Sequence, residues 1–317
     1  MWCSVPSFAQ TDWSVSYKNY TVEVILQKDS VSFSYEVDLF SGDEKRRFTT
    51  SSLDSFLILM GEDLDGLADE EGLLFYFHGM FGGQRINYDS TLVDFRHLYV
   101  DTTESRIGRL IGYRWPGNNP AYLKDKQNAH MIASALSQHF ADLVKFASQR
   151  NRSAHVITHS LGSELFKEML FHITELSTPL ELAEVVICAP DLDDTVLEKD
   201  SVLHAALPLM EHLTVYYSNK DFTLTMSKTL NKKNRLGLNG PSVKTTFSEK
   251  VTYVNVSLIS DEKFLPWRMS GHSYIRGSLS IAADILSALN GDKSSVPFRK
   301  MSDPSMNVYE LQPRAKS

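Results

Sequence analysis

The chain predicts an α/β fold: a doubly wound, mainly parallel sheet with antiparallel strands ahead of it. Three observations carry this expectation. Short apolar runs recur at Leu73–Phe77, Arg109–Trp115, His155–His159, Val185–Ala189, Leu213–Tyr217 and Val251–Leu258, and turn-forming residues close several of them. Between them, apolar residues return at helical spacing. Strand and helix therefore alternate, and alternation of that kind builds parallel strands joined by right-handed crossovers.

Taken in order, Thr21–Leu26 and Val31–Val37 alternate apolar and polar residues, with Val31, Phe33, Tyr35 and Val37 on one face. That period predicts two half-buried antiparallel strands joined around Lys28-Asp29. Ser52–Met60 is apolar without a period that separates helix from strand, and the acidic stretch Glu62–Glu71 reads as a solvated loop. Leu73–Phe77 is uninterrupted, which suits a strand buried on both faces, and it runs into the glycine-rich turn His78-Gly79-Met80-Phe81-Gly82-Gly83. Arg109–Trp115 follows, closed by Pro116-Gly117-Asn118-Asn119-Pro120. A long amphipathic helix then places Ala129, Ile132, Ala133, Leu136, Phe140 and Leu143 on one stripe.

The run His155–His159 leads to Ser160, and Leu161, Leu165, Phe166, Met169, Leu170 and Ile173 mark one face of the helix after it. Val185–Ala189 ends in Pro190-Asp191-Leu192-Asp193-Asp194, where Asp193 and Asp194 read as a helix N-cap and its first turn. Leu213–Tyr217 ends in Ser218-Asn219-Lys220-Asp221, before a short helix over Thr223–Leu230 and a basic, glycine-containing loop over Asn231–Lys244. After the last strand come Ser270-Gly271-His272-Ser273-Tyr274 and a helix faced by Leu279, Ala282, Ala283, Leu286 and Leu289. Gly291–Ser317 is polar, carries proline and has no period, so it reads as a tail that is mobile or draped on the surface. The expected organisation is an extension over residues 1–20, one α/β domain over 21–290 and the tail over 291–317.

The 317 residues are 42% apolar and 22% charged, the ordinary balance of a globular chain with a large core. A formal net charge of −7, with no dense run of Lys or Arg, argues against nucleic acid or an anionic membrane as the main partner. No apolar run approaches the roughly 20 residues that span a bilayer. Cys3 and Cys188 allow no readable disulfide framework, and Cys188, inside an apolar strand, reads as an inert core residue. Met1–Gln10 has no basic segment of the kind that opens a signal peptide, although Ser7-Phe8-Ala9-Gln10 looks like the end of one. As written, the chain is expected in the cytoplasm; a start lying upstream would make it an exported protein.

A strand that turns sharply at a serine and enters a helix has the form of the nucleophile elbow of α/β-hydrolases, which lifts the serine Oγ above the sheet at a helix N-terminus. Gly162 stands two places after Ser160 as that turn requires, while Thr158 stands where the G-x-S-x-G pattern has glycine. A serine hydroxyl is a poor nucleophile at neutral pH and needs an imidazole to take its proton and a carboxylate to orient that imidazole. In this fold the order along the chain is serine, acid, histidine, and Ser160, Asp221 and His272 meet it. His204 lies in a helical stretch and His212 precedes a strand at its N-terminal end, so His272 is the expected base. Asp221, two strands beyond the serine strand, is favoured as the acid over Asp191. The turn after Leu73–Phe77 would supply one oxyanion-hole N–H, from Met80 or Phe81. His78 is expected to order that turn. His155 and His159 lie on a strand, where i and i+4 are about 13 Å apart, so they read as packing residues, and no metal or cofactor is expected.

The segments LLFYFHGMFGG, RLIGYRWPG, HVITHSLGSELF, VVICAPDLDD, LTVYYSNKDFTLTMSKTLN, NRLGLNGP and GHSYI, in that order, resemble the bacterial esterase/lipase-like α/β-hydrolases of unknown function, over roughly Gly72–Leu289. The resemblance implies an α/β-hydrolase fold, Ser160 as nucleophile, Asp221 as acid, His272 as base, and the Met80 and Leu161 backbone N–H groups as oxyanion donors. The activity expected is cleavage of a carboxylic ester or thioester of a small-molecule substrate through an acyl-enzyme. The segment between Asp191 and Leu213 is too short for a large lid, which suits short or medium acyl groups. The other readings are an acyltransferase using the same three residues and a binding protein without catalysis.

Overall fold

The computed structural model describes residues 17–27, 30–41, 44–118, 120–245, 247–261, 271–292 and 298–313. Eleven strands among the described residues form one sheet: β1 (Tyr17–Gln27), β2 (Ser30–Ser41), β3 (Glu44–Thr50), β4 (Gly72–Phe77), β5 (Ile107–Arg114), β6 (Ala154–His159), β7 (Leu182–Cys188), β8 (Met210–Tyr217), β9 (Val251–Asn255), β10 (Arg299–Asp303) and β11 (Val308–Leu311). Their spatial order is β10-β11-β9-β8-β7-β6-β4-β5-β1-β2-β3. From β11 through β1 every neighbouring pair is parallel. The pairs β1–β2 and β2–β3 at one edge and β10–β11 at the other are antiparallel.

The central strands owe their place to apolar side chains on both faces. Along β4, Leu73, Phe75 and Phe77 enter one core cluster while Leu74 and Tyr76 enter the other, the period of two that a pleated strand imposes. The first face is covered by α1 (Leu53–Leu64), α3 (Tyr122–Ser148), α4 (Gly162–Glu175) and α5 (Val202–Ala206). The second is covered by α2 (Arg85–Tyr99), α8 (Tyr274–Gly277) and α9 (Leu279–Leu289). Phe140 of α3 packs edge-on against Phe75, Phe77 and Phe166, with ring centroids 5.1, 5.7 and 6.0 Å apart. Aromatic geometry thereby adds to area burial in seating α3 on the sheet. No helix among the described residues is long and apolar enough to cross a membrane. Cys188 is buried, and burial pushes its thiol well above the ordinary range, as an inert core residue requires.

Several elements extend or correct the expectations from sequence. β1 begins at Tyr17 rather than Thr21, and the turn at Lys28-Asp29 lies outside the described residues, as do Cys3 and Met1–Gln10. Ser52–Met60 resolves as helix: Ser52 caps α1 by accepting from the Ser55 N–H at 3.2 Å, and the helix continues to Leu64. Part of the supposed acidic loop is therefore helical. Asp63 is almost buried there, receiving Arg109 Nε at 2.6 Å, Arg109 Nη2 at 2.9 Å and the Tyr20 hydroxyl at 2.7 Å. Burial opposes its charge, but Arg109, Tyr20 and Lys18 together hold its carboxyl below the ordinary value.

β3, too polar to show in the pattern, pairs through charge: Arg47 meets Asp38 at 2.5 and 2.7 Å and Asp89 at 3.1 Å. Finally, the supposed tail contributes β10 and β11. Val308 pairs with Tyr253 and Glu310 with Asn255, and Arg299 ties the hairpin to Asp284 at 2.9 Å and to the Tyr216 hydroxyl at 3.0 Å. Strands of five and four residues are too short to show a period.

Buried histidines link this core to pH. Burial pulls the imidazoles of His78, His139 and His155 down to about 4. An unfolded chain titrates near 6.5. Between those values the unfolded chain binds the extra protons, so the stability is present above about pH 6.5 and is lost as the pH falls toward 4. Denaturant unfolding at successive pH values should show a fall of up to about 1.4 kcal/mol per pH unit for each such group. His155→Gln should remove one group's share of that slope, and an unchanged slope would assign the loss to other groups.

Candidate active site

β6 delivers Ser160 to the C-terminal edge of the sheet. Ser160 adopts φ 54°, a left-handed conformation uncommon for a residue with a side chain, and α4 starts two residues later. The turn is held from three sides: the Ser160 N–H donates to Cys188 O at 3.1 Å, and Ser160 O accepts from the N–H of Ser163 at 3.0 Å and of Asp191 at 3.2 Å. Such strain persists where the surroundings over-determine it. A side chain on Gly162 would lie 2.5 Å from the carbonyl oxygens of Phe77 and His78, and one on Gly79 would lie 2.8 Å from Ser160 Cβ. Both glycines are therefore close-approach positions. Thr158 fits where the pattern has glycine because its buried hydroxyl shares a 2.8 Å hydrogen bond with Ser163 Oγ.

Asp221 stands at the end of β8 and caps α6 (Phe222–Asn231). Fully buried, it accepts the Leu224 N–H on Oδ1 at 2.9 Å and His272 Nδ1 on Oδ2 at 2.6 Å. With Nδ1 donating to that carboxylate, Nε2 is the ring nitrogen left to accept a proton. The His272 turn is fixed on several sides. Gly271, at φ +79°, is pressed against the Lys220 carbonyl, where a side chain would come within 2.7 Å of the oxygen. Tyr274, beyond it, donates to Tyr216 O at 2.9 Å and accepts the Ala189 N–H at 2.7 Å, tying the turn to the ends of β7 and β8. His159 Nε2 donates to His272 O at 2.9 Å, and the two rings lie 4.8 Å apart. His159, read from sequence as packing only, thus anchors the segment that carries His272. It is the residue next to Ser160, so this bond joins the serine turn to the histidine turn. The sequence holds no signal for it, because the partner lies 113 positions away.

Asp191 is turned elsewhere. Its backbone N–H touches the Ser160 turn, but its carboxylate accepts from Ser227 Oγ at 2.5 Å and faces Arg235 Nη1 at 3.4 Å. Arg235, fully buried just before α7 (Leu236–Asn239), also pairs with Asp193, while Lys233 reaches Asp193 at 2.8 Å and Asn234 reaches Asp194 at 3.1 Å. Asp193 and Asp194 therefore latch the 233–235 segment instead of opening a helix; the next helix, α5, is preceded by Ser201. By sequence Arg235 falls in a basic, glycine-containing loop, within NRLGLNGP, a segment that carries the resemblance.

The turn after β4 borders Ser160 through Gly79. The Phe81 N–H is taken by Gly117 O at 2.6 Å and the Gly82 N–H by Gly79 O at 3.0 Å, whereas neither the Met80 nor the Leu161 N–H donates to an acceptor among the described residues. His78 orders this turn with both ring nitrogens: Nδ1 donates to Gly79 O at 2.7 Å, and Nε2 accepts the Trp115 N–H at 3.2 Å. Trp115 Nε1 returns a bond to His78 O at 2.9 Å, and the two rings stack 5.3 Å apart. Burial keeps His78 neutral, so it cannot serve as an exchangeable acid here.

His155, at the far end of β6, lies apart from this edge and meets Ser153 Oγ at 3.0 Å. Among the described residues one cluster has metal-ligand chemistry: the ligand atoms of His130, Glu164 and Glu168 fall within 4.8 Å of one another between α3 and α4. Lys167 already meets both carboxylates, at 3.1 and 2.8 Å, and Lys126 meets Glu164 at 3.5 Å, so an ion would have to displace ammonium groups. Burial opposes the charge on Glu164, yet His130, Lys167 and Lys126 bring its carboxyl down to about 2.

Residues 67–282, more than half of the chain, match the family described as alpha/beta hydrolase of unknown function (DUF900). The chain belongs to that family. As a member it is an α/β-hydrolase with a mostly parallel sheet, antiparallel N-terminal strands and general hydrolase character. No curated protein matches it. Among solved structures, it is similar to an esterase of Pyrobaculum calidifontis at 8% identity, over 89% of this chain and 87% of that one, with a TM-score of 0.40. A dienelactone hydrolase-like promiscuous phosphotriesterase from metagenomic libraries aligns at 12% identity over 86% and 98%, with a TM-score of 0.40. Esterases of Rhizomucor miehei align at 10% over 89% and 87%, with a TM-score of 0.37. Likeness this remote says nothing of substrate.

The Asp191–Arg235 pair offers a structural test beside the site. Arg235→Met should leave Asp191 buried without its guanidinium partner and destabilise the α/β-hydrolase by about 3–5 kcal/mol in denaturant unfolding. A loss below about 1 kcal/mol would show that the latch contributes little.

Proposed function

We propose that this α/β-hydrolase is a cofactor-independent serine esterase that cleaves a carboxylic ester, or a thioester, through an acyl-enzyme. Ser160 is the nucleophile, His272 the general base and then acid, Asp221 the residue that orients His272, and the Met80 and Leu161 N–H groups the oxyanion donors. The observation that carries this reading is the 2.6 Å bond from His272 Nδ1 to the buried Asp221 carboxylate, in a turn that His159, the neighbour of a serine held at φ 54°, bonds through the His272 carbonyl. With Nδ1 protonated, Nε2 can take the Ser160 proton as Oγ attacks the acyl carbon. The negative charge then moves to the carbonyl oxygen, where a donor in such a hole is typically worth about 2.7–4 kcal/mol. The tetrahedral intermediate collapses as His272 returns the proton to the leaving alkoxide or thiolate. Water, activated by the same imidazole, releases the acid and restores Ser160.

Two features support the assignment of partners within this reading. Arg235 and Ser227 engage Asp191, which leaves Asp221 as the acid bonded to His272. Met80 is preferred to Phe81 as the donor because the Phe81 N–H is spent on Gly117.

Chromogenic esters of graded chain length test the proposal directly. Wild type should turn over at least part of the series and take up a fluorophosphonate on Ser160, whereas Ser160→Ala should do neither; equal turnover by both would remove Ser160 as nucleophile. Asp221→Asn should lower kcat by about 10⁴-fold through the wrong histidine tautomer, with the fold intact by circular dichroism. A comparable loss in Asp191→Asn but not in Asp221→Asn would exchange the two acids. Added alcohol that diverts the acyl group to a new ester would mark an acyltransferase using the same chemistry.

A further inference from the structure

α6 carries an apolar stripe that nothing in the described structure covers. Phe222, Met226 and Leu230 are 56%, 50% and 60% exposed, and their spacing of four places them on one helix face about 12 Å long, while Leu224 and Ser227 on the other side are buried. The stripe begins at the residue after Asp221, so it borders the site. A second segment joins it: the Tyr122 hydroxyl accepts from Asn231 Nδ2 at 2.9 Å, which sets the first turn of α3 against the end of α6, and Leu123 there is 63% exposed.

Charge says what fits this face. Lys124, Lys220, Lys228 and Lys232 lie on or beside these two segments, and none has a carboxylate partner among the described residues. From Lys220 to Lys232 the single acid is Asp221, which is buried. In a chain whose formal charge is −7, this is a locally cationic, apolar surface assembled from separate stretches. Lysine is depleted at protein–protein interfaces, whereas helices that lie on lipid combine an apolar stripe with lysines at its margins.

We propose that α6 and the first turn of α3 form a docking face for an anionic phospholipid surface. The apolar side chains enter the headgroup boundary and the lysines meet lipid phosphates. The consequence for substrate, that Ser160 receives an amphiphilic ester from such a surface, rests on the esterase reading above; the docking itself does not.

Flotation of the full chain with vesicles of phosphatidylcholine alone, or of phosphatidylcholine with phosphatidylglycerol, tests this. Wild type should float with the anionic vesicles, remain behind with the neutral ones, and detach as salt is raised. Lys228→Gln and Lys232→Gln should each weaken binding about fivefold, the equivalent of roughly 1 kcal/mol per lysine. The double variant Met226→Ser, Leu230→Ser should weaken it further, and all should keep wild-type turnover of a soluble ester and an unchanged thermal melt. No flotation, equal flotation on both vesicles, or flotation that the variants leave unchanged would overturn the proposal. So would a dimer in light scattering that these variants dissolve, because a second copy would then own the face. Soluble-ester turnover without anionic binding would sink the docking face alone; binding without turnover would sink the esterase reading alone.

Discussion

The left-handed backbone of Ser160 is the constraint on which the rest of the molecule depends. A side-chain-bearing residue in that region costs of order 1–3 kcal/mol and persists only where its surroundings leave no alternative. Here the surroundings are β6 in the middle of the sheet, the Cys188 carbonyl at the end of β7, the turn after β4 pressed in through Gly79, and α4 pressed in through Gly162. The contacts join the ends of β4 and β7 to the turn between β6 and α4. The serine turn is therefore a product of the parallel sheet, and the apolar side chains packed under helices on both of its faces are what make that sheet rigid enough to hold it.

Around this turn the fold sorts its acids by the cations that reach them. Asp191 and Asp221 both follow strands at the same edge, and either could serve an imidazole by chain order. Arg235 arrives from beyond α6 and neutralises Asp191, while Gly271 lets the His272 turn lie on the Asp221 backbone. The two carboxylates acquire different work from their neighbours, one joining β7 to the 233–235 segment and the other bonding His272. His159 links the two halves of the site through a backbone carbonyl and so ties the position of His272 to that of Ser160.

Charge organises the margins of the sheet as apolar burial organises its centre. β2 presents Glu36 and Asp38 inward, where Arg85 and Arg47 meet them, and this allows a strand as polar as β3 to close one edge. At the other edge Arg299 reaches Asp284 and the Tyr216 hydroxyl across the C-terminal hairpin. The same logic, inverted, leaves lysines by α6 without a carboxylate partner among the described residues, on a chain that is acidic as a whole.

The sequence by itself determined the alternation of strand and helix, the central strands, the elbow at Ser160 and the order that singles out His272, because all of these rest on local periods and on spacing along the chain. It did not reveal β3, β10 or β11, the helix that ends at Leu64, the buried roles of Asp63 and Arg235, or the part played by His159. Those depend on partners brought together from positions far apart, such as Asp63 with Arg109 and His159 with His272. A net charge of −7 also averages over residues that folding segregates, so it does not show where the lysines near α6 gather. Tertiary structure alone decided these points, for the physical reason that pairing energies act across space whereas hydrophobic periodicity is written along the chain.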